Sequence, residues 1–187
     1  REILVRRVDD QKQAVGVVVG IVEAKGRRVV AYRHVGKGDS RTVDGDTIFE
    51  IGSATKVFTA LLLADMVNRG EVRLDDPASR YLPDRVTVPE RSGKAITLLD
   101  LCTHSSGLPS LPTNLTPKDP RNPYADYRAE DLYEFLSGYT LPRDPGSEFE
   151  YSNLGAGLLG HALARRAGTS YETLLRRRVI DPLGMSS

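Results

Sequence analysis

The chain has 187 residues, long enough to bury the core of one domain, with 26 Lys and Arg against 25 Asp and Glu and a net charge of +1. That balance leaves no basic footprint for nucleic acid, no apolar run reaches the ~18 residues that span a bilayer, and a lone cysteine excludes an internal disulfide. The chain opens Arg1-Glu2-Ile3 without a secretory signal pattern, as a trimmed chain also would, and His34, His104 and His161 lack metal-ligand spacing, so no metal or other cofactor is expected.

Residues 14–22 and 28–33 are rich in valine, with a turn at Ala24-Lys25-Gly26-Arg27, and together predict a β-hairpin. The first strand is apolar on both faces and calls for partners in a wider sheet. Residues 36–46, rich in Gly and Asp, predict a loop, and Thr47–Ile51 an extended approach to a helix over 57–67 that Gly70 stops. That helix is apolar nearly all round (Val57, Phe58, Leu61, Leu62, Leu63, Met66), which predicts a buried central position. Leu74-Asp75-Asp76-Pro77 is a turn, and Thr97 with Asp100 has the form of a capping box. Cys102 lies in an apolar stretch and is expected to be buried and inert. The proline-rich stretch 105–128 predicts a long irregular loop, of the kind that is usually functional or mobile. A short helix is expected over 129–137, a turn at Pro142–Gly146, and a longer helix over 154–167 closed by Gly168. Thr169–Glu172 repeats the capping pattern and opens a last helix to about Val179.

The chemistry concentrates at Gly52-Ser53-Ala54-Thr55-Lys56. Helix positions i and i+3 share a face, so Ser53 and Lys56 point the same way, one turn apart. A serine hydroxyl is a weak nucleophile until a base takes its proton, and a partly desolvated lysine can be that base. The helix N-terminus favours developing negative charge. Taken by themselves the two residues read first as a capping serine and a solvated lysine. A second cluster, Tyr151-Ser152-Asn153, precedes the 154–167 helix. A tyrosine beside a lysine can relay a proton, and an asparagine offers both a donor and an acceptor. Singly, Tyr151 also reads as a core or rim tyrosine, and Asn153 as a helix cap.

Ser-x-x-Lys followed by Tyr-x-Asn resembles the serine β-lactamase and penicillin-binding protein superfamily, and most of all its class C β-lactamase branch. The likeness extends through Phe49-Glu50-Ile51-Gly52-Ser53, Leu74-Asp75-Asp76-Pro77, Thr103-His104-Ser105-Ser106-Gly107-Leu108-Pro109, Phe149-Glu150-Tyr151-Ser152-Asn153 and Asp181-Pro182-Leu183-Gly184-Met185. It implies an α+β fold, an antiparallel sheet with a helical domain. Within a single partial domain, residues 1–50 would supply the N-terminal hairpin and lead-in, and 51–187 the helical region with both motifs. The roles it implies are Ser53 as acylated nucleophile, Lys56 as its proton acceptor, Tyr151 as proton relay to the leaving group, and Asn153 as the residue orienting Lys56 and the substrate. The Ser53 N–H would be one oxyanion donor. His104, tempting as a catalytic histidine, falls in a structural turn.

The family's third element, Lys/His-x-Gly, has no counterpart after Asn153, and His34-Val35-Gly36 fits the letters only by chance. The C-terminal strands that complete the sheet are expected to be missing, so a complementary C-terminal chain or a strand-swapped homo-oligomer is a candidate partner. The expected substrate is a small molecule: a β-lactam or D-alanyl peptide for an acyl-enzyme hydrolase, or an ester for a carboxylesterase on the same scaffold. A non-catalytic fragment that binds such ligands is a third reading. The resemblance implies a secreted or periplasmic protein.

Overall fold

The computed structural model describes residues 1–185. Arg1–Ile51 and the chain from Gly52 onward form two compact units.

In the first unit, a short helix α1 (Glu2–Val5) runs on into a wider π-helical turn, Arg6–Asp10. Sequence pattern does not predict it, since the segment carries no capping signal. Strands β1 (Gly16–Glu23) and β2 (Gly26–Arg33) pair antiparallel, with Val19 opposite Val30. The turn shrinks to Ala24-Lys25, and Gly26 supplies the positive φ (126°) that closes it. Asp9 fastens the helical turn to β2, accepting from Tyr32 Oη at 2.6 Å and Arg33 Nε at 2.8 Å.

The second unit is helical. A 3₁₀ turn, Gly52–Ala54, leads into α2 (Thr55–Asn68). Gly70, at φ 68°, ends α2 in a Schellman motif: the Glu71 N–H reaches Met66 O and the Gly70 N–H reaches Val67 O, both at 2.9 Å. A two-residue hairpin, β3 (Glu90–Arg91) and β4 (Lys94–Ala95), turns through Ser92 and Gly93, both with positive φ. The capping box is present on α3 (Leu98–Cys102): the Asp100 N–H donates to Thr97 Oγ1 at 3.1 Å and the Thr97 N–H to Asp100 Oδ2 at 2.9 Å. Helices α4 (Ala129–Gly138) and α5 (Asn153–Ala167) follow the irregular stretch and the turn region between them. The last helix, α6 (Tyr171–Leu175), is capped by Ser170 rather than Thr169, because Ser170 Oγ accepts the Thr173 N–H. It continues as a π-helical turn, Arg176–Ile180.

Leu62, Leu63 and Met66 of α2, Leu98 and Leu101 of α3, Leu136 of α4 and Leu158, Leu159 and Leu163 of α5 form the core. Only one face of α2 is in it. Val57 and Leu61 are 61% and 46% exposed, against the all-round burial that their composition suggested. Cys102 is half-buried, and burial pushes its thiol up. Among the described residues no helix is long and apolar enough to cross a membrane.

Candidate active site

The four residues singled out from the sequence come from two places: the start of α2 and the start of α5. Gly52 takes φ 52°, a conformation that favours glycine, and opens the 3₁₀ turn whose middle residue is Ser53. One turn on, Lys56 Nζ donates to Ser53 Oγ at 3.1 Å. At the other end, Ser152 caps α5 by accepting the Gly155 N–H at 2.8 Å, which makes Asn153 the first residue of that helix. Asn153 Oδ1 accepts from Lys56 Nζ at 2.7 Å. Tyr151 Oη donates to Ser53 Oγ at 2.5 Å, and Lys56 Nζ stands 4.8 Å from the Tyr151 ring centroid.

Ser53 Oγ is therefore the shared acceptor of a phenol and an ammonium. Tyr151 is 40% exposed, Ser53 is exposed and Lys56 is half-buried, so a molecule in solvent reaches the hydroxyl directly. The Lys56 ammonium, ahead of Ser53, holds the Tyr151 phenol below its ordinary value, because hydrogen bonding and nearby positive charge favour the phenolate.

Two clefts meet at Asn153. One, of about 510 Å³, runs between α2, α5 and Tyr171 and includes Lys56 and Thr59. The other, of about 260 Å³, lies under Leu111, Leu115, Tyr124 and Tyr127 of the irregular stretch. Along the first cleft Tyr171 packs directly on Gly160, where a Cβ would stand 3.0 Å from Tyr171 Cε2. In that position Tyr171 Oη is 2.7 Å from Thr59 Oγ1.

A residue that sequence reasoning left in a turn is next to the site. His104 does occupy the turn after α3, but its imidazole lies 4.6 Å from the Tyr151 ring, and its Nδ1 accepts the Ser152 N–H at 3.2 Å. The only signal in the sequence was its place in a Ser/Gly-rich stretch. His161 instead meets Tyr133 Oη through Nε2 at 2.6 Å, and His34 bridges to Thr42 in the first unit. Among the described residues no group of three His, Cys, Asp or Glu side chains could hold a metal ion.

The beta-lactamase family model matches residues 2–187. The chain belongs to the beta-lactamase family. A D-alanyl-D-alanine-carboxypeptidase/endopeptidase, AmpH, of Escherichia coli (strain K12) is 33% identical over 96 residues, 51% of this chain and 25% of that protein. Esterase EstB of Burkholderia gladioli is 34% identical over 102 residues, 52% of this chain and 26% of its own length. The crystal structure of a beta-lactamase/D-alanine carboxypeptidase from Yersinia pestis, complexed with citrate, superposes with a TM-score of 0.83 at 29% identity, covering 99% of this chain and 55% of that one. The fold is thus that of the serine beta-lactamase superfamily, and the chain spans about half the length of this solved relative.

Proposed function

We propose that this protein is a serine hydrolase that forms an acyl-enzyme on Ser53 with β-lactams or D-alanyl peptides. One observation carries the reading: Ser53 Oγ is held by both Tyr151 Oη and Lys56 Nζ, with Lys56 steadied by Asn153 Oδ1. The relatives named for carboxypeptidase and β-lactamase activity support it.

In this reading Ser53 Oγ attacks the substrate carbonyl carbon and its proton passes to the Tyr151/Lys56 pair. Both groups reach Ser53 Oγ, so the pair, rather than either residue alone, is the base. The depressed phenol makes the phenolate form accessible beside the ammonium. The pair then returns the proton to the leaving nitrogen as the carbon–nitrogen bond breaks. In the second half, water gives its proton to the same pair and attacks the ester carbonyl, and Ser53 Oγ departs and is reprotonated. The first N–H groups of a helix lack internal partners, so the Ser53 N–H is free to donate to the oxyanion. Asn153, where the two clefts meet, bonds the substrate amide on the acyl side.

Intact-protein mass spectrometry after incubation with nitrocefin tests this. One acyl adduct is expected, mapped to Ser53 and absent from Ser53→Ala. An adduct that persists in Ser53→Ala overturns the assignment. The similarity to an esterase favours a second reading, ester cleavage at the same serine. Turnover of short p-nitrophenyl esters with no β-lactam adduct would select it.

A further inference from the structure

Helix α3 ends in a Schellman arrangement, with the Ser105 N–H reaching Asp100 O at 2.9 Å. The left-handed position of that motif, normally glycine, is His104, at φ 59°. A side chain with a Cβ is strained there. Glycine would end the helix without that strain, and the imidazole makes contacts that a bare backbone cannot.

What it touches is the segment carrying Tyr151. The Glu150 N–H donates to His104 O at 2.7 Å, and the Ser152 N–H donates to His104 Nδ1 at 3.2 Å. The amides on both sides of Tyr151 are thus held by one residue. Between them the His104 ring lies against the Tyr151 ring, at 4.6 Å and 36°, and Phe149 meets the imidazole edge-on, at 5.8 Å and 83°. The tyrosine is 40% exposed and, apart from these contacts, is held at its hydroxyl by Ser53. Nδ1 can accept the Ser152 N–H only while the imidazole is neutral. Burial and the Lys56 charge, which both oppose protonation, keep it so.

We propose that His104 is the positioning residue for Tyr151: a neutral imidazole that holds the Ser152 amide and backs the Tyr151 ring, while the His104 carbonyl takes the Glu150 amide, so that the phenol stays on Ser53 Oγ beside Lys56. The proposal rests on the acyl-enzyme reading for its kinetic consequence, but the clamp itself is measurable without turnover.

Two variants separate clamp from helix stop. His104→Gly keeps the left-handed turn and removes acceptor and ring. His104→Asn also tolerates the turn and returns an acceptor, Oδ1, near the place of Nδ1, without the ring. The first measurement is titration of ¹³C-labelled tyrosine by NMR, with the Tyr151 signal assigned by its loss in Tyr151→Phe. The phenol is expected to titrate below ordinary tyrosine in the parent chain, to move back toward it in His104→Gly, and to return part of the way in His104→Asn. The second is the rate of nitrocefin acylation by mass spectrometry. It is expected to fall tenfold or more in His104→Gly, with no loss of Tm, and to recover partly in His104→Asn. An unchanged Tyr151 titration in His104→Gly overturns the proposal, as does a His104→Gly chain that acylates at the parent rate. If the parent chain takes no acyl group, it is the acyl-enzyme reading that fails, and the titration alone decides the clamp.

Discussion

Two tyrosines in this protein place their hydroxyls 2.5 Å from an acceptor oxygen, and their proton affinities move in opposite directions. Tyr81 donates to Asp76 Oδ2, and burial followed by the carboxylate pushes its phenol up to about 12. Tyr151 donates to Ser53 Oγ beside an ammonium, and its phenol is held down. Geometry at the hydroxyl is the same; what differs is the sign of the nearest charge and the access of water. Around Asp76 every contact is a finished bond. Its carboxylate takes the Arg73 N–H at 2.7 Å, Arg80 Nη1 at 2.8 Å and Tyr81 Oη. At Ser53 the acceptor is an exposed hydroxyl that can exchange its proton. A short hydrogen bond on a carboxylate locks a turn, whereas on a hydroxyl beside an ammonium it prepares a proton transfer.

Mutation can pull the two tyrosines apart. The largest effect is expected from Lys56→Ala, which removes both the ammonium and the tie to Asn153: nitrocefin acylation should fall by about 10³ or more, with the fold retained by circular dichroism. Tyr151→Phe should lower acylation by roughly 10²–10⁴, while Tyr81→Phe leaves the rate per folded molecule unchanged. Equal kinetic losses in the two Phe variants would break the comparison. Asp76→Ala strands the buried Tyr81 hydroxyl and frees the Arg73 N–H, and should cost about 3 kcal/mol, seen as a Tm lower by roughly 6–12 °C.

pH sharpens the same contrast. Asp76 is held below the ordinary carboxylate value, chiefly by Tyr81, so its stabilisation is complete above about pH 4 and is lost as pH falls through the folded value. Tyr81 is raised, so its share is complete below pH 10 and is lost as pH climbs toward 12. Chemical denaturation across pH should therefore show an acid limb that Asp76→Ala flattens and an alkaline limb that Tyr81→Phe flattens. The smallest effect is Gly160→Ala: the new methyl meets Tyr171 at about 3.0 Å, the Tyr171–Thr59 bond gives way, and stability should drop by about 1 kcal/mol.

Much of this was legible in the sequence where one residue type has one physical job. Gly70 and Gly168 marked helix ends because the left-handed turn suits glycine, and Thr97 with Asp100 marked a start because two side chains there exchange bonds with two amides. Ser53 and Lys56 lie three residues apart and their contact is local, so periodicity alone put them together. Their meeting with Tyr151 and Asn153 was not visible in periodicity; it came from resemblance to a family. The β3–β4 hairpin escaped notice because two-residue strands carry no alternation, although Ser92-Gly93 is a turn dipeptide. Burial of α2 was overread: apolar composition says which side chains favour a cover, and Val57 and Leu61 do not have one here. His104 was placed correctly in a turn, but nothing local could say which ring it would face.

The contacts that define the site differ sharply in reach along the chain. Lys56 meets Ser53 within one helical turn, whereas Tyr151 and Asn153 arrive from 98 and 97 residues away. Closing a loop of that size sacrifices about 4 kcal/mol of chain entropy, so the distant pair joins only after the intervening helices have condensed. The nucleophile and its amine are therefore expected to form early and the phenol to arrive late. During refolding, reactivity toward an acylating reagent would therefore switch on with the last step of assembly, making the serine a clock for completion of the fold.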